Sequence, residues 1–214
     1  MQRIDGRPWD PAQPPVALDG WQLPPAQWQA LREAYAVPPR AYHHLGHVPD
    51  VLEHCATLHR VTAWTAPRVT YLAACYHDAV YVPGRRDNEQ RSADLLRDHA
   101  LRFGGIDADT LACACDWILL TTRHGQLDGQ GVAAEAARFL DADMAILAAP
   151  ADVFARYDAA IAEEHRGVVP GFVYRYARRR FLSGLLRRPI YLSAEGQSLW
   201  EAAARHNLQA ALRR

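Results

Sequence analysis

Two short segments hold most of the residues that could do chemistry. Residues 42–47 read Tyr-His-His-Leu-Gly-His, and residues 76–78 read Tyr-His-Asp. Imidazole and carboxylate groups are common ligands of divalent metals. From His47 to His77 the chain runs for thirty residues, and the second segment closes an apolar stretch. The two segments together therefore predict a metal site that does chemistry.

The first segment predicts a polar stripe along a helix. His43 and His47 are four residues apart, a spacing that places both side chains on one helix face, one turn apart. Asp50 and His54 continue this face, while the opposite side of the segment is apolar. A chance cluster of surface histidines is the alternative interpretation.

The second segment joins two potential ligands that are adjacent in sequence. Neighbouring side chains on a regular helix diverge by about 100°, so His77 and Asp78 can share an ion only where a helix ends. The helical pattern does end there, because residues 80–84 read Val-Tyr-Val-Pro-Gly. Residues 71–76 are apolar, and an ionisable pair buried at their end is costly without a partner. A bound cation would supply that partner; a solvent-exposed pair is the alternative.

A further carboxylate is expected, because such an ion favours more oxygen ligands. Asp141 and Asp143 interrupt an otherwise apolar segment, residues 139–147, and position alone leaves the choice between them open. On a helix they point about 200° apart, so only one can face a given site. Ile146 and Leu147 share the face of Asp143, which favours Asp143 as the inward carboxylate. Asp141, at the start of this turn, is expected to be a helix cap.

The spacing of apolar residues predicts helices almost throughout the chain. Residues 1–24 form a Pro-rich arm that carries Trp9 and Trp21. The predicted helices cover residues 25–37, 44–64, 68–79, 88–103, 107–123, 133–147, 152–165, 172–187 and 194–212. Asp87 and Gln90 are spaced as a capping box for the fourth of these. No segment shows the alternation of a strand. We therefore expect an all-α protein in which residues 25–214 form a single helical domain of about eight to ten helices.

Composition excludes several classes of protein. The 214 residues are 50% hydrophobic and carry no net charge, so the chain lacks the basic footprint of a general nucleic-acid binder. No apolar run is long enough to span a membrane and no leader is evident at the N-terminus. The four cysteines lie in apolar helical patterns, which is typical of buried, reduced thiols. We therefore expect a cytoplasmic protein that does not bind membranes.

The motifs resemble the HD superfamily of metal-dependent phosphohydrolases, where His, His-Asp and Asp follow in this order on a helical scaffold. Residues 42–51 are also similar to the Tyr-His-Asn-x-x-His-x-x-Asp-Val segment of cyclic-nucleotide phosphodiesterases, with His44 in place of Asn. A small bacterial family of HD proteins shares four segments with the chain. These are Arg-x-Tyr-His-x-x-x-His (40–47), His-Asp-x-Val-Tyr (77–81), Asp-Asn-Glu-x-x-Ser-Ala (87–93) and Leu-Asp-Ala-Asp (140–143), within a match over about residues 40–190.

The resemblance implies a role for each matched residue. The implied metal ligands are His47, His77, Asp78 and Asp143. The first histidine of the motif, His43, is implied as general acid/base or as a substrate contact. The residues expected to bind substrate are Arg40, Asn88, Glu89 and His124.

The expected cofactor is one or two divalent ions, drawn from Mn, Mg, Fe, Zn, Ni and Co. Such an ion lowers the pKa of a bound water and stabilises charge on a phosphoryl oxygen. The expected substrate is a small phosphate ester, and a nucleotide is one candidate. Because the chain contains no Lys, its cations for phosphate must be arginines, and the motifs are flanked by Arg40, Arg85, Arg86 and Arg123. A later basic run (Arg175, Arg178, Arg179, Arg180) is either a second phosphate contact or, as we favour, a solvated face.

Two other functions fit the same residues. Some HD-fold proteins hold two irons and cleave C–C or C–P bonds with oxygen, and here His43, His44, His54 or His124 could supply the additional ligands. A nucleotide sensor that keeps the ligands without turnover is the non-enzymatic alternative. Two irons per chain would indicate the oxygenase, whereas one ion or two redox-silent ions would indicate hydrolysis.

Overall fold

A computed structural model describes residues 9–213 of the chain and the backbone of residues 3–4 and 7–8. Within these residues there are nine α-helices and one two-stranded antiparallel ribbon. The expectation of an all-α protein of about eight to ten helices is confirmed. The chain, including the region predicted as one domain, divides into two compact units, Met1–Thr122 and Arg123–Arg214. Each unit is described by itself.

The first unit contains the ribbon and five helices. Its elements are β1 (Arg3–Ile4), β2 (Arg7–Pro8), α1 (Pro25–Ala36), α2 (His47–Val61), α3 (Pro67–Tyr76), α4 (Asn88–Phe103) and α5 (Ala108–Leu120). The ribbon was not expected, because strands of two residues are too short to produce an alternating pattern. Parts of the predicted arm, residues 1–2 and 5–6, lie outside the described residues, as does residue 214.

The described part of the N-terminal arm packs on the first unit through aromatic side chains. The ring of Trp9 meets the ring of Trp28 on α1 edge-on, with 6.2 Å between centroids. Trp21 meets Tyr71 on α3 in the same way at 5.6 Å. The Tyr71 hydroxyl also donates a hydrogen bond of 2.8 Å to the carbonyl of Pro15. The arm therefore contributes to the environment of α3.

Helix α3 is the central helix of the first unit. Every residue from 69 to 76 is buried, as expected for a helix that is apolar on all sides. All four cysteines are free thiols; Cys113 is half-buried and the other three are buried. Burial raises the pKa of the thiols of Cys75 and Cys115, which fits inert core residues.

Helix α2 begins three residues later than expected, and the prediction that His43 and His47 share a helix face is wrong. His47 is the first residue of α2, and His43 lies in the bend that precedes it. Pro49 explains the boundary. In a longer helix its ring would clash with the carbonyl of Leu45, whereas the third helical position has no intrahelical N–H bond to lose.

Helix α4 has the expected bounds but lacks the expected capping box. Asp87 occupies the N-cap position, yet its side chain caps nothing. Its carboxylate instead accepts two hydrogen bonds from Arg85, at 2.7 and 2.6 Å. The Gln90 side chain donates to Asp94 rather than reaching back to the helix start. A guanidinium two residues away offers a charge-assisted bidentate pair, which displaces the cap.

The second unit contains four helices, α6 (Ala134–Met144), α7 (Ala151–Glu164), α8 (Gly171–Leu185) and α9 (Ala194–Leu212). A 3₁₀ turn, Ala145–Ala148, follows α6. The last three helices begin and end within two residues of the predicted bounds. Their core is apolar and consists of Leu147, Phe154, Leu182, Leu185, Ile190, Tyr191, Ala204 and Leu208. In the part of the chain that the structure describes, no helix has the length and apolar content needed to cross a bilayer.

Candidate metal centre

The start of α2 and the end of α3 supply the residues of the candidate centre. His47 opens α2, and His77 and Asp78 follow directly after α3. The backbone of His77 is still helical, with its N–H bonded to the carbonyl of Ala73 at 2.9 Å. The chain turns at Asp78, and both side chains therefore reach the same point. The helix therefore ends at the His-Asp pair as expected, although its last residue, Tyr76, lies three residues before the predicted bound.

Three potential ligand atoms converge at this point. One ligand atom from each of His47, His77 and Asp78 lies within 4.8 Å of the other two. The Nε2 atoms of His77 and His47 are 3.1 and 3.9 Å from Asp78 Oδ2. Two atoms that each lie about 2.1 Å from a common ion are separated by roughly 3–4 Å, so the spacing fits one divalent ion. Both imidazoles are buried, and the Asp78 side chain is only 16% exposed.

The hydrogen bonding of His77 orients its ring as a ligand. His77 Nδ1 lies 3.0 Å from the carbonyl oxygen of Ala74. A carbonyl can only accept, so Nδ1 carries the proton and the neutral ring has its lone pair on Nε2. That lone pair faces the carboxylate oxygen of Asp78, and the two acceptors repel unless a cation or a proton lies between them. A backbone carbonyl that fixes the tautomer is the usual outer partner of a metal-ligating histidine.

Arg40 holds the segments that carry these side chains. Its guanidinium donates to the carbonyls of His43 at 2.9 Å, Asp78 at 2.6 Å and Ala79 at 3.0 Å. A longer bond of 3.3 Å reaches the carbonyl of Ala34 at the end of α1. The structure therefore places this predicted substrate-binding residue on backbone carbonyls, where it ties the bend before α2 to the turn after α3.

The general acid/base candidate lies beside the cluster. The half-buried His43 ring stacks on Tyr81, with 4.0 Å between centroids and 24° between planes. Its centroid is 6.5 Å from that of His47, so it adjoins the cluster although the two residues do not share a helix. His44 is exposed, and its Nδ1 accepts the N–H of Gly46.

Asn88, a predicted substrate-binding residue, is buried against the loop that follows Asp78. Its side chain accepts from the N–H of Val82 and donates to the carbonyl of Val82, both at 3.0 Å. One turn later Ser92 does the same for Val80, at 3.0 and 3.2 Å. Sequence reasoning missed Ser92 and Tyr81, although both lie in the motifs that carry the resemblance. Glu89 is half-buried on the same turn of α4.

The second unit holds the remaining predicted residues. His124 Nε2 is 2.8 Å from Asp143 Oδ2, and both side chains are largely buried. Three of the four predicted ligands converge in the first unit. The assignment of Asp143 as the fourth, and of His124 as a substrate contact, stays a prediction.

The prediction that Asp141 caps a helix start is wrong. Helix α6 begins at Ala134, so Asp141 lies in its interior and is buried. Its carboxylate accepts from the N–H of Leu192 at 2.6 Å and from the N–H and hydroxyl of Ser193 at 2.8 and 2.6 Å. Burial raises its pKa to about 6, against the opposing effect of these donors. A Cβ on Gly196 would lie 2.5 Å from Asp141 Oδ2, so only glycine fits beside this carboxylate.

The flanking arginines have different surroundings. Arg85 is paired with Asp87, and Arg86 is exposed. In the basic run of α8, Arg178 turns inward and pairs with Asp158 at 2.9 Å. The other three arginines of the run (Arg175, Arg179, Arg180) are exposed.

Comparison with protein-family models, with curated proteins and with solved structures found no match. What the site can do therefore follows from its own geometry and from the motifs quoted above.

Proposed function

We propose that this chain is a metal-dependent phosphohydrolase whose metal centre is built on His47, His77 and Asp78. The observation that carries the proposal is the convergence of two imidazole nitrogens and a carboxylate oxygen within 4.8 Å of one another. The largely buried carboxylate of Asp78 has its Oδ2 atom 3.1 Å from Nε2 of His77, and a cation bound there would offset the cost of burying its negative charge. The donor set of two imidazoles and a carboxylate suits a divalent transition metal.

A divalent ion held by two imidazoles and two carboxylates would keep open coordination positions for a water and a substrate oxygen. A divalent ion bound there would lower the pKa of a water and stabilise negative charge on a phosphoryl oxygen. The order of the motifs, which resembles that of the HD superfamily, favours a phosphate ester as the substrate. Asp143 is the proposed fourth ligand on that resemblance.

In this proposal His43 donates a proton when the ester bond breaks. Phosphate-ester hydrolysis forms one P–O bond to water and breaks another to the leaving group, whose oxygen must be protonated. The His43 imidazole is half-buried, lies beside the ligand His47 and has its plane fixed by Tyr81. A positioned imidazole is the commonest general acid near neutral pH. The leaving group would then depart as an alcohol.

The test is a screen of the purified protein against phosphomonoesters, cyclic nucleotides and nucleoside triphosphates, with Mn²⁺, Mg²⁺, Fe²⁺, Zn²⁺, Ni²⁺ or Co²⁺ supplied. We expect hydrolysis of at least one class, loss of activity after chelation and recovery when metal is restored. The variant Asp78→Asn should be inactive, because an amide is a poor substitute for a carboxylate ligand.

The matched control is His44→Ala, which removes an exposed histidine from the same segment and should leave turnover unchanged. Equal hydrolysis by wild type and Asp78→Asn would contradict the proposal. Absence of hydrolysis by metal-loaded protein across the three substrate classes would also contradict it. Two redox-active irons per chain would instead indicate the di-iron oxygenase function.

A further inference from the structure

The loop after Asp78 is held along one edge by two side chains of α4. Asn88 pairs with both the N–H and the carbonyl of Val82, and Ser92 pairs with both groups of Val80. In an antiparallel sheet a residue exchanges both of these bonds with the residue opposite. Here two side chains take the place of a neighbouring strand.

The spacing of the two side chains matches the spacing of the backbone groups that they bind. Residues four apart on a helix lie on one face with about 5–6 Å between their Cβ atoms. Residues two apart on an extended chain are separated by roughly 6.6 Å and present their N–H and carbonyl groups to the same edge. An Asn-x-x-x-Ser pair on a helix can therefore hold residues 80 and 82 of the loop, as it does here.

Tyr81 lies between the two held residues. With the backbone anchored on both sides, the direction of the Tyr81 side chain is set by the fold. Its ring stacks on the imidazole of His43 at 4.0 Å, nearly parallel, and the stack limits the rotation of that imidazole. From the other side, Arg40 holds the carbonyl of His43.

We propose that Tyr81 is a positioning residue for His43, and that Asn88 and Ser92 keep Tyr81 in place. The proposal rests on the proposed function of His43 as proton donor. It gives Asn88 an indirect role, through the backbone of the loop, in place of the substrate contact that the sequence suggested. A misplacement of about 1 Å at a reacting group can lower a rate by about 10²-fold, so an effect of this order is expected when the stack is lost.

The test combines NMR of the His43 imidazole with steady-state kinetics, on Zn²⁺-loaded protein for the spectra. The His43 ring protons, assigned by their loss in His43→Ala, should show the upfield ring-current shift of a stacked imidazole in wild type. Tyr81→Phe keeps the ring and should keep both the shift and the rate. Tyr81→Leu should lose the shift, and its kcat should fall by about 10²-fold while KM and metal content stay unchanged. The double variant Asn88→Ala/Ser92→Ala should behave as Tyr81→Leu does.

An unchanged His43 spectrum in Tyr81→Leu would overturn the proposal, as would a lost shift with an unchanged kcat. If substitution of Asn88 alone raises KM and leaves the His43 spectrum unchanged, Asn88 contacts the substrate and does not act through Tyr81. If wild type hydrolyses nothing, the proposed function fails. The spectra would then still decide, without any activity, whether Tyr81 and α4 set the position of the His43 ring.

Discussion

Two largely buried carboxylates, Asp78 in the first unit and Asp141 in the second, have different neighbours. Asp141 accepts hydrogen bonds from two backbone N–H groups and a hydroxyl. Asp78 Oδ2 instead lies near the Nε2 atoms of His77 and His47, at 3.1 and 3.9 Å. When its ring is neutral, the His77 tautomer directs the Nε2 lone pair at this oxygen. Both side chains are costly to bury as anions, and a cation at Asp78 would offset that cost.

The difference shows how a structural carboxylate can be distinguished from a ligand. A carboxylate whose oxygens accept hydrogen bonds from protein donors stabilises the fold. Few of its lone pairs remain available to coordinate an ion. A carboxylate that shares its position with the lone pairs of imidazoles gains most from a cation. On this comparison Asp141 connects α6 to the start of α9, and Asp78 is a candidate ligand.

The largest expected effect is loss of metal from His77→Ala. Removal of one of three imidazole and carboxylate ligands should lower the metal content of the purified protein to near background, because too few ligands remain to hold the ion. Elemental analysis of wild type, His77→Ala and the control His44→Ala measures this. Equal metal content in wild type and His77→Ala would show that the ion is not bound at His77. Asp78 would then no longer be a candidate ligand that differs from the structural carboxylate Asp141.

Replacement of the proton donor should lower the rate and spare the metal. We expect His43→Ala to keep its ion and to lose on the order of 10²–10⁴ in kcat, the usual contribution of a general acid or base. Metal analysis and kinetics on one preparation test both parts. Retained activity would reduce His43 to a packing role, and lost metal would make it a ligand.

Asp141→Asn should lower stability by about 2–4 kcal/mol, because the amide NH₂ would face donors that the carboxylate now satisfies. The free energy of unfolding in urea measures this loss. The matched variant Asp143→Asn, on the same helix, should cost less stability, because the Asp143 side chain is less deeply buried than that of Asp141. Metal analysis of the same two proteins tests the assignment of Asp143 as a ligand; metal loss from Asp141→Asn alone would reverse it.

The smallest expected effect concerns His99, a buried histidine whose Nδ1 bonds the hydroxyl of Tyr76 at 2.9 Å. Burial lowers the pKa of His99, with a smaller effect in the same direction from Arg102 and an opposing one from Asp98. The unfolded chain therefore binds this proton more readily, and stability should fall as the pH drops below about 6.5 toward the folded-state pKa. Urea unfolding between pH 7 and 5 should show a weaker pH dependence for His99→Gln than for wild type, and equal slopes would contradict this.

The fold and the three converging ligands could be predicted because both depend on local patterns. Apolar periodicity predicts the helices, and a His-Asp pair at the end of an apolar helix predicts the turn that joins His77 to Asp78. The apolar pattern continues through the bend before α2, so periodicity alone does not show that Pro49 fixes the start of the helix at His47. The role of Asp141 could not be predicted, since its partners lie 51 and 52 residues away in sequence. The backbone bonds of Arg40, Asn88 and Ser92 likewise depend on tertiary contacts that a residue type does not reveal.

The metal site can be located directly by anomalous X-ray scattering from crystals of the metal-loaded protein, recorded on both sides of the absorption edge of the bound metal. We predict a peak about 2.0–2.2 Å from the Nε2 atoms of His47 and His77 and from a carboxylate oxygen of Asp78. No peak is expected at Asp141, whose oxygens are occupied by Leu192 and Ser193. A metal-loaded crystal without a peak at His47, His77 and Asp78, or with its peak at Asp141, would show that these three residues do not form the metal site.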